Sequence, residues 1–349
     1  MEPIIYTLTK TNEIKEPIKI NLYFDDQPSP KLIKYGFNNI DEEIDMMGIT
    51  SIPYYKNIMN FNFDSTDKES ITMKASSIFQ TKNFNQIFAE FWEILNIFGV
   101  LTKDQNIYTT HTDIVNDIVN SYQQITNTKH IFSIYDEKNI KKQKNKATLV
   151  IYKYSDIDID ENAAIQLIID QLPHLLNIQD KGANMIIQLF SLQTQTSAEL
   201  IYYLCTFYTE AYLIKPIVTS ELSDSKYLVL LGLKTIPVLS IPEHPKNLYL
   251  ASFGIKFLPN DFVNVIQCMN ANIIPQKYKK YIQIKAYLES KVYEGATYQE
   301  MLIIQKKNTT EWLEIFTNLS KMEELLDQTI KKSTIKCVTY EKLINILNQ

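Results

Sequence analysis

The sequence predicts an α/β protein built on a doubly wound parallel sheet, with an irregular N-terminal region before it and a mostly helical C-terminal tail after it. Three observations predict this. Strand-like and helix-like segments alternate from about residue 106 to residue 233. Two of the strand-like runs, Leu149 to Tyr152 and Ala183 to Phe190, are continuously apolar, as in strands covered on both faces. The 349 residues, 45% of them hydrophobic, suffice for one large core with appended segments or for two domains.

The elements follow in order. Residues 1 to about 75 mix short β-like runs, Ile18 to Phe24 and Ser70 to Ala75, with polar turns around Asp25 to Pro30. From Asn85 the period becomes helical, with Ile87, Phe88, Phe91, Trp92, Ile94, Leu95 and Phe98 on a broad apolar face that ends near Gly99. Asn106 to His111 reads as a strand, Thr112 to Ile125 as a helix capped by Thr112 or Asp113, and His130 to Tyr135 and Ala147 to Tyr154 as further strands. Glu161 to Ile178 is a helix, Ala183 to Phe190 a strand, Thr196 to Phe207 a helix, and Glu210 to Lys215 and Ser225 to Leu233 two strands joined by a loop that opens with Pro216. Such alternation calls for right-handed crossovers between parallel strands.

After Lys234 the prolines 237, 242, 245 and 259 punctuate a connecting segment, and from Asp261 the chain is mostly helical. Thr309 to Lys331 is the longest candidate helix; Trp312, Ile315, Phe316, Leu319, Met322, Leu325 and Leu326 recur at three- and four-residue spacing, so one face must be buried, against its own chain or against a partner. The expected organisation is a mixed α/β region over 1–78, the α/β domain over 79–235 and a helical region over 236–349.

Composition narrows the function. Net charge is −5, and all 35 basic residues are lysine, so there is neither a global basic field nor an arginine fork for phosphate or guanine; RNA contact would have to be local. Cys205, Cys268 and Cys337, and His111, His130, His174 and His244, are scattered without metal-ligand spacing; this argues against a zinc site and a disulfide framework and fits a reducing compartment. No run reaches membrane-spanning length and none reads as a signal peptide, so a cytoplasmic location, host cytoplasm or virion, is expected.

The segments Lys181-Gly-Ala-Asn-Met-Ile-Ile-Gln-Leu-Phe, Thr196-Ser-Ala-Glu-Leu-Ile-Tyr-Tyr-Leu, Ala211-Tyr-Leu-Ile-Lys-Pro, Thr219-Ser and Ser225-Lys-Tyr-Leu-Val-Leu-Leu-Gly-Leu come in one order and spacing. Together they resemble the second half of FtsJ-like RNA ribose 2′-O-methyltransferases, and Phe84 to Leu95 resembles the family's early helix with Glu93-Ile94-Leu95 in register. The match spans roughly residues 80 to 235 and is most like the forms carried by large DNA viruses of eukaryotes. It implies a Rossmann-like methyltransferase sheet.

The family's chemistry is where the resemblance fails. Transfer to a ribose hydroxyl needs a lysine that orients or receives a proton, tuned by acids; the family supplies a Lys-Asp-Lys-Glu tetrad. Carried over by position, the first lysine falls on Glu90, the aspartate at or near Lys153, the second lysine on Gln188 and the glutamate near Ser225. Glu90 and Lys153 could form a swapped ion pair, but Gln188 cannot act as a base. A cofactor turn needs glycine after the first strand so that the ligand can approach the backbone; no glycine occurs between Gly99 and Gly182, and the turn reads Thr109, Thr110, His111, Thr112. Asp136, at the end of the second strand, occupies the place of a ribose-binding acid. No cofactor and no metal are expected.

The reading is therefore an inactive methyltransferase-fold subunit, whose partner by resemblance is an active methyltransferase or another capping or transcription subunit. An active cap 2′-O-methyltransferase using S-adenosylmethionine is the enzyme alternative. An RNA-binding or virion structural protein is the third, with Lys141, Lys142, Lys144 and Lys146, or Lys277, Lys279 and Lys280 beside Tyr278 and Tyr281, as its patch.

Overall fold

A computed structural model describes residues 3–8, 20–30, 32, 64, 66–139, 145–154, 160–235, 245, 248–290 and 295–318. Along the chain, β1 is Ile4–Thr7, β2 is Tyr23–Asp25 and helix α1 is Lys68–Ile78. Next come α2, Gln86–Ile97, then β3, Gln105–Thr109, and α3, Thr112–Thr126. The strands β4, Phe132–Tyr135, and β5, Ala147–Tyr152, precede α4, Glu161–Asn177. They are followed by β6, Gln179–Leu189, α5, Gln195–Cys205, β7, Tyr208–Lys215, and β8, Lys226–Leu233. The described chain closes with β9, Tyr249–Ser252, α6, Asn260–Ser290, and α7, Ala296–Phe316.

Seven strands form one sheet in the order β1-β7-β8-β6-β5-β3-β4, and β2 pairs with β9 in a separate ribbon. Alternate residues of the central strands enter two cores: Val150, Ile187, Leu213 and Leu228 face α4, α5 and α6, whereas Leu149, Ile186, Ile214 and Val229 face α2, α3 and α7. Helices therefore cover both faces, and the doubly wound, Rossmann-like sheet expected of the methyltransferase class is present. The chain leaves β3 through α3 towards β4 on one side, while β5 lies on its other side, so the strand order reverses between β3 and β5. Ligands of such sheets bind outside the strand ends at this reversal.

Several expectations are corrected. The sheet is not wholly parallel: β8 runs antiparallel to both β6 and β7, and β1 antiparallel to β7. The link from β7 to β8, residues 216–225, is shorter than the dozen or more residues a parallel crossover needs. Ser70 to Ala75 lies in a helix, because Ile71, Ala75 and Phe79 recur every four residues and all three are buried. The residue at the N-cap of α3 is His111, without a side-chain cap, and Asp113 sits in the first turn. Among the described residues the longest helix is α6, of 31 residues, while α7 ends at Phe316. The remainder of the span to Lys331, with Leu319, Met322, Leu325 and Leu326, falls outside the described residues.

Within α7, Trp312 and Phe316 are fully buried in the chain's own core, so this part of the amphipathic face packs internally. The joint with α2 is reciprocal. Trp92 Nε1 donates to the Phe316 carbonyl at 2.8 Å, and Trp312 Nε1 donates to Glu93 Oε1 at 2.8 Å.

Candidate functional site

The crevice between β3 and β5 is bridged by Thr110. Its hydroxyl donates to the Lys153 carbonyl at 2.8 Å and accepts from the Lys153 amide at 3.2 Å, which ties the two strand ends together beyond their ladder. His111 Nδ1 lies 2.9 Å from the same oxygen, the His111 amide donates to Thr109 Oγ1 at 3.1 Å, and the His111 ring sits edge-on to Phe91. Thr109 is buried, and Thr112 opens α3. Where a glycine turn would leave room for a ligand, this turn carries the Thr110 side chain, bonded across the crevice. Asp136 accepts from the amide and side-chain nitrogen of Asn139, both at 3.1 Å, a local turn of the kind Asp readily makes. Beside this end of the sheet, burial pushes the Tyr108 and Tyr152 phenols up to about 12, so both stay protonated at neutral pH.

Three of the four tetrad positions meet on the α2 side of the sheet. Gln188 and Tyr227 are cross-strand partners, and Gln188 Nε2 donates to Ser225 Oγ at 3.1 Å. Tyr227 OH donates to Glu90 Oε2 at 2.5 Å, while Glu90 Oε1 accepts from Thr219 at 3.1 Å and from Gln86 Nε2 at 2.9 Å. Both Glu90 oxygens are thus occupied by neutral donors, and the swapped ion pair with Lys153 is not formed. Lys153 is itself buried. At the position matched to the family's second lysine this arrangement holds an amide, which hydrogen-bonds but does not take up a proton near neutral pH.

Sequence reasoning missed Glu93, one helical turn beyond Glu90. It is fully buried, and its carboxyl accepts from Trp312 Nε1 and from the amides of Ile217 at 2.8 Å and Val218 at 3.0 Å. Burial pushes this carboxyl up to about 8 against the pull of those three donors. The available signal was an acid inside an otherwise apolar helix face; its partners lie more than a hundred residues away.

The loop from Pro216 to Ser225, which the sequence marked only by its opening proline, is fastened from several sides. Besides Glu93 and Glu90, it is held by Ser220 and the Glu221 amide donating to Asp64 Oδ1, by Lys280 paired with Glu221 at 2.8 Å, and by Lys277 paired with Asp224 at 2.8 Å. Lys215 Nζ donates to the Ser223 carbonyl. Burial raises the Asp224 carboxyl, but the ammonium groups of Lys277, Lys226 and Lys215 outweigh that and hold it below the usual range. Two lysines of the suggested RNA patch, Lys277 and Lys280, are therefore engaged in ion pairs, whereas Lys279 is exposed. Lys141, Lys142 and Lys144 lie outside the described residues.

Among the described residues no group of three or more His, Cys, Asp or Glu could hold a metal, and no helix is long and apolar enough to cross a membrane. Cys205 and Cys268 are buried; Cys337 and His244 lie outside the described residues.

No family model matches the chain. Over 350 residues it is 45% identical to a protein of Acanthamoeba polyphaga mimivirus named "Uncharacterized protein R383", a match that covers 98% of this chain and 99% of that one. Among solved structures, a ribosomal RNA methyltransferase from Plasmodium falciparum aligns with 42% of this chain and 96% of its own at 13% identity and a TM-score of 0.34. The sheet order, rather than that likeness, carries the fold assignment.

Proposed function

This chain belongs to one family with the mimivirus protein, and we propose that it uses a methyltransferase-like fold as a non-catalytic subunit, structural or stimulatory, of a viral mRNA capping or transcription complex. The observation that supports this reading is Gln188: the position that should carry a proton-handling lysine holds a buried amide bonded to Ser225. The Thr110 bridge supports it separately, since binding and chemistry then fail for unrelated reasons. Its partner in this reading is a protein, such as the active methyltransferase of the same complex.

Titration calorimetry with S-adenosylmethionine, run beside a tritiated methyl-transfer assay on capped RNA, tests it. Neither binding heat nor label in RNA is expected. Saturable micromolar binding, or label incorporated above a no-protein control, overturns the non-catalytic reading and returns the chain to the active 2′-O-methyltransferases.

A further inference from the structure

Helix α7 is buried on one side through Gln305, Thr309, Trp312 and Phe316. On the opposite side Glu300, Ile303, Ile304 and Lys307 form an exposed stripe at positions i, i+3, i+4 and i+7, with Ile303 67% and Ile304 51% exposed. Two adjacent isoleucines left this open on a helix have apolar surface to bury against an occupant.

The pattern of the stripe identifies that occupant. Read in either direction it runs charge, isoleucine, isoleucine, opposite charge. If a second α7 is laid antiparallel across the first, with the two-fold axis between Ile303 and Ile304, each Ile303 meets the partner's Ile304. The same operation sets each Glu300 against the partner's Lys307, on both flanks of the apolar centre. Isologous interfaces require this self-complementarity. Neither Glu300 nor Lys307 is in an ion pair among the described residues. A receptive surface adjoins the stripe: Ile304 and Met301 also line a hollow of about 520 Å³ between α6 and α7, with Ala286 among its other walls, so the partner's Ile303 arrives at its mouth.

We propose that α7 is a self-association face, through which two copies of this chain pair antiparallel about Ile303 and Ile304, in register set by Glu300 and the partner's Lys307. One helix pair buries less than the roughly 1,200 Å² of a standard interface, so the dimer is a weak, reversible one. The apolar centre supplies its strength, and the flanking charges fix direction and register.

Sedimentation velocity of the full chain over a concentration series tests the proposal, with circular dichroism to confirm that each variant is folded. The expected results are a concentration-dependent dimer for the wild type, a monomer for Ile303→Asp, and about tenfold weaker association for Glu300→Lys, which sets like charges together on both flanks. Adding Lys307→Glu to Glu300→Lys re-forms both pairs with reversed sign and restores the wild-type constant. A wild type that stays monomeric, a dimer indifferent to Ile303→Asp, or a charge swap that fails to restore association overturns it.

Discussion

At the scale of single residues, two buried side chains define this protein more than its surface does. By the resemblance Gln188 falls where the family carries a lysine, and restoring that lysine leaves Glu90 and Lys153 unchanged at the other matched positions. Gln188→Lys is expected to remain inactive in the methyl-transfer assay and to lower stability by about 2–3 kcal/mol, since burying an ammonium costs more than the Glu90 carboxylate, already committed to Tyr227, Thr219 and Gln86, repays. Urea denaturation of variant and wild type measures the loss. Glu93 makes the second prediction. Its folded-state carboxyl is raised from 4.5 to about 8, so below pH 4.5 the folded and unfolded states are both protonated there and its contribution is fully present. As pH rises towards 8 the unfolded state ionises first, and that contribution is progressively lost. The urea midpoint should fall across this interval in the wild type, and Glu93→Gln should flatten the slope; parallel slopes in the two proteins would contradict the assignment.

At the scale of elements, the joint between α2 and α7 and the loop from Pro216 to Ser225 hold distant parts of the chain in one arrangement. Both tryptophans of the protein lie in that joint, each donating to the other helix. Trp312→Phe keeps the ring packing against Phe84 and Phe316 but removes one donor from a buried carboxyl, and should cost about 1–3 kcal/mol. Trp312→Phe combined with Glu93→Gln should cost less than the sum of the singles, because the two share one interaction. A double-mutant cycle by chemical denaturation, followed by circular dichroism in all four proteins, reads the coupling directly. The loop has no regular structure of its own, but contacts from the Asp64 segment, α2, β6 and α6 converge on it. A loop pinned from so many sides belongs to the rigid frame.

At the scale of the whole molecule, the sheet is extended on one flank by the first described residues. Strand β1 covers the edge of β7 over Ile4 to Thr7, and Leu8 beyond it is buried in the core. Deleting residues 1–8 exposes the β7 edge and opens a cavity, and is expected to lower stability by several kcal/mol and to promote aggregation. Thermal melts with light scattering check both effects; an unchanged melting temperature would mean that β1 contributes no stability.

The alternation of strands and helices from residue 106 to 233 was legible because it is local: apolar runs and helical spacing are set by neighbours a few residues apart, and burying those faces leaves one kind of fold. The departures from the resembled family at Gln188 and at Thr109 to Thr112 could be noted for the same reason, since each is read one residue at a time. The mistakes fell where local pattern was weak: the short α1, and the reversed β8, whose direction depends on how a ten-residue link can close. Only the tertiary structure decided which groups the buried acids would meet. Glu90 bonds to Tyr227 across 137 positions and Glu93 to Trp312 across 219. Hydrogen bonds between residues so far apart leave no period in the sequence; they exist only once packing has brought the groups within about 3 Å of one another.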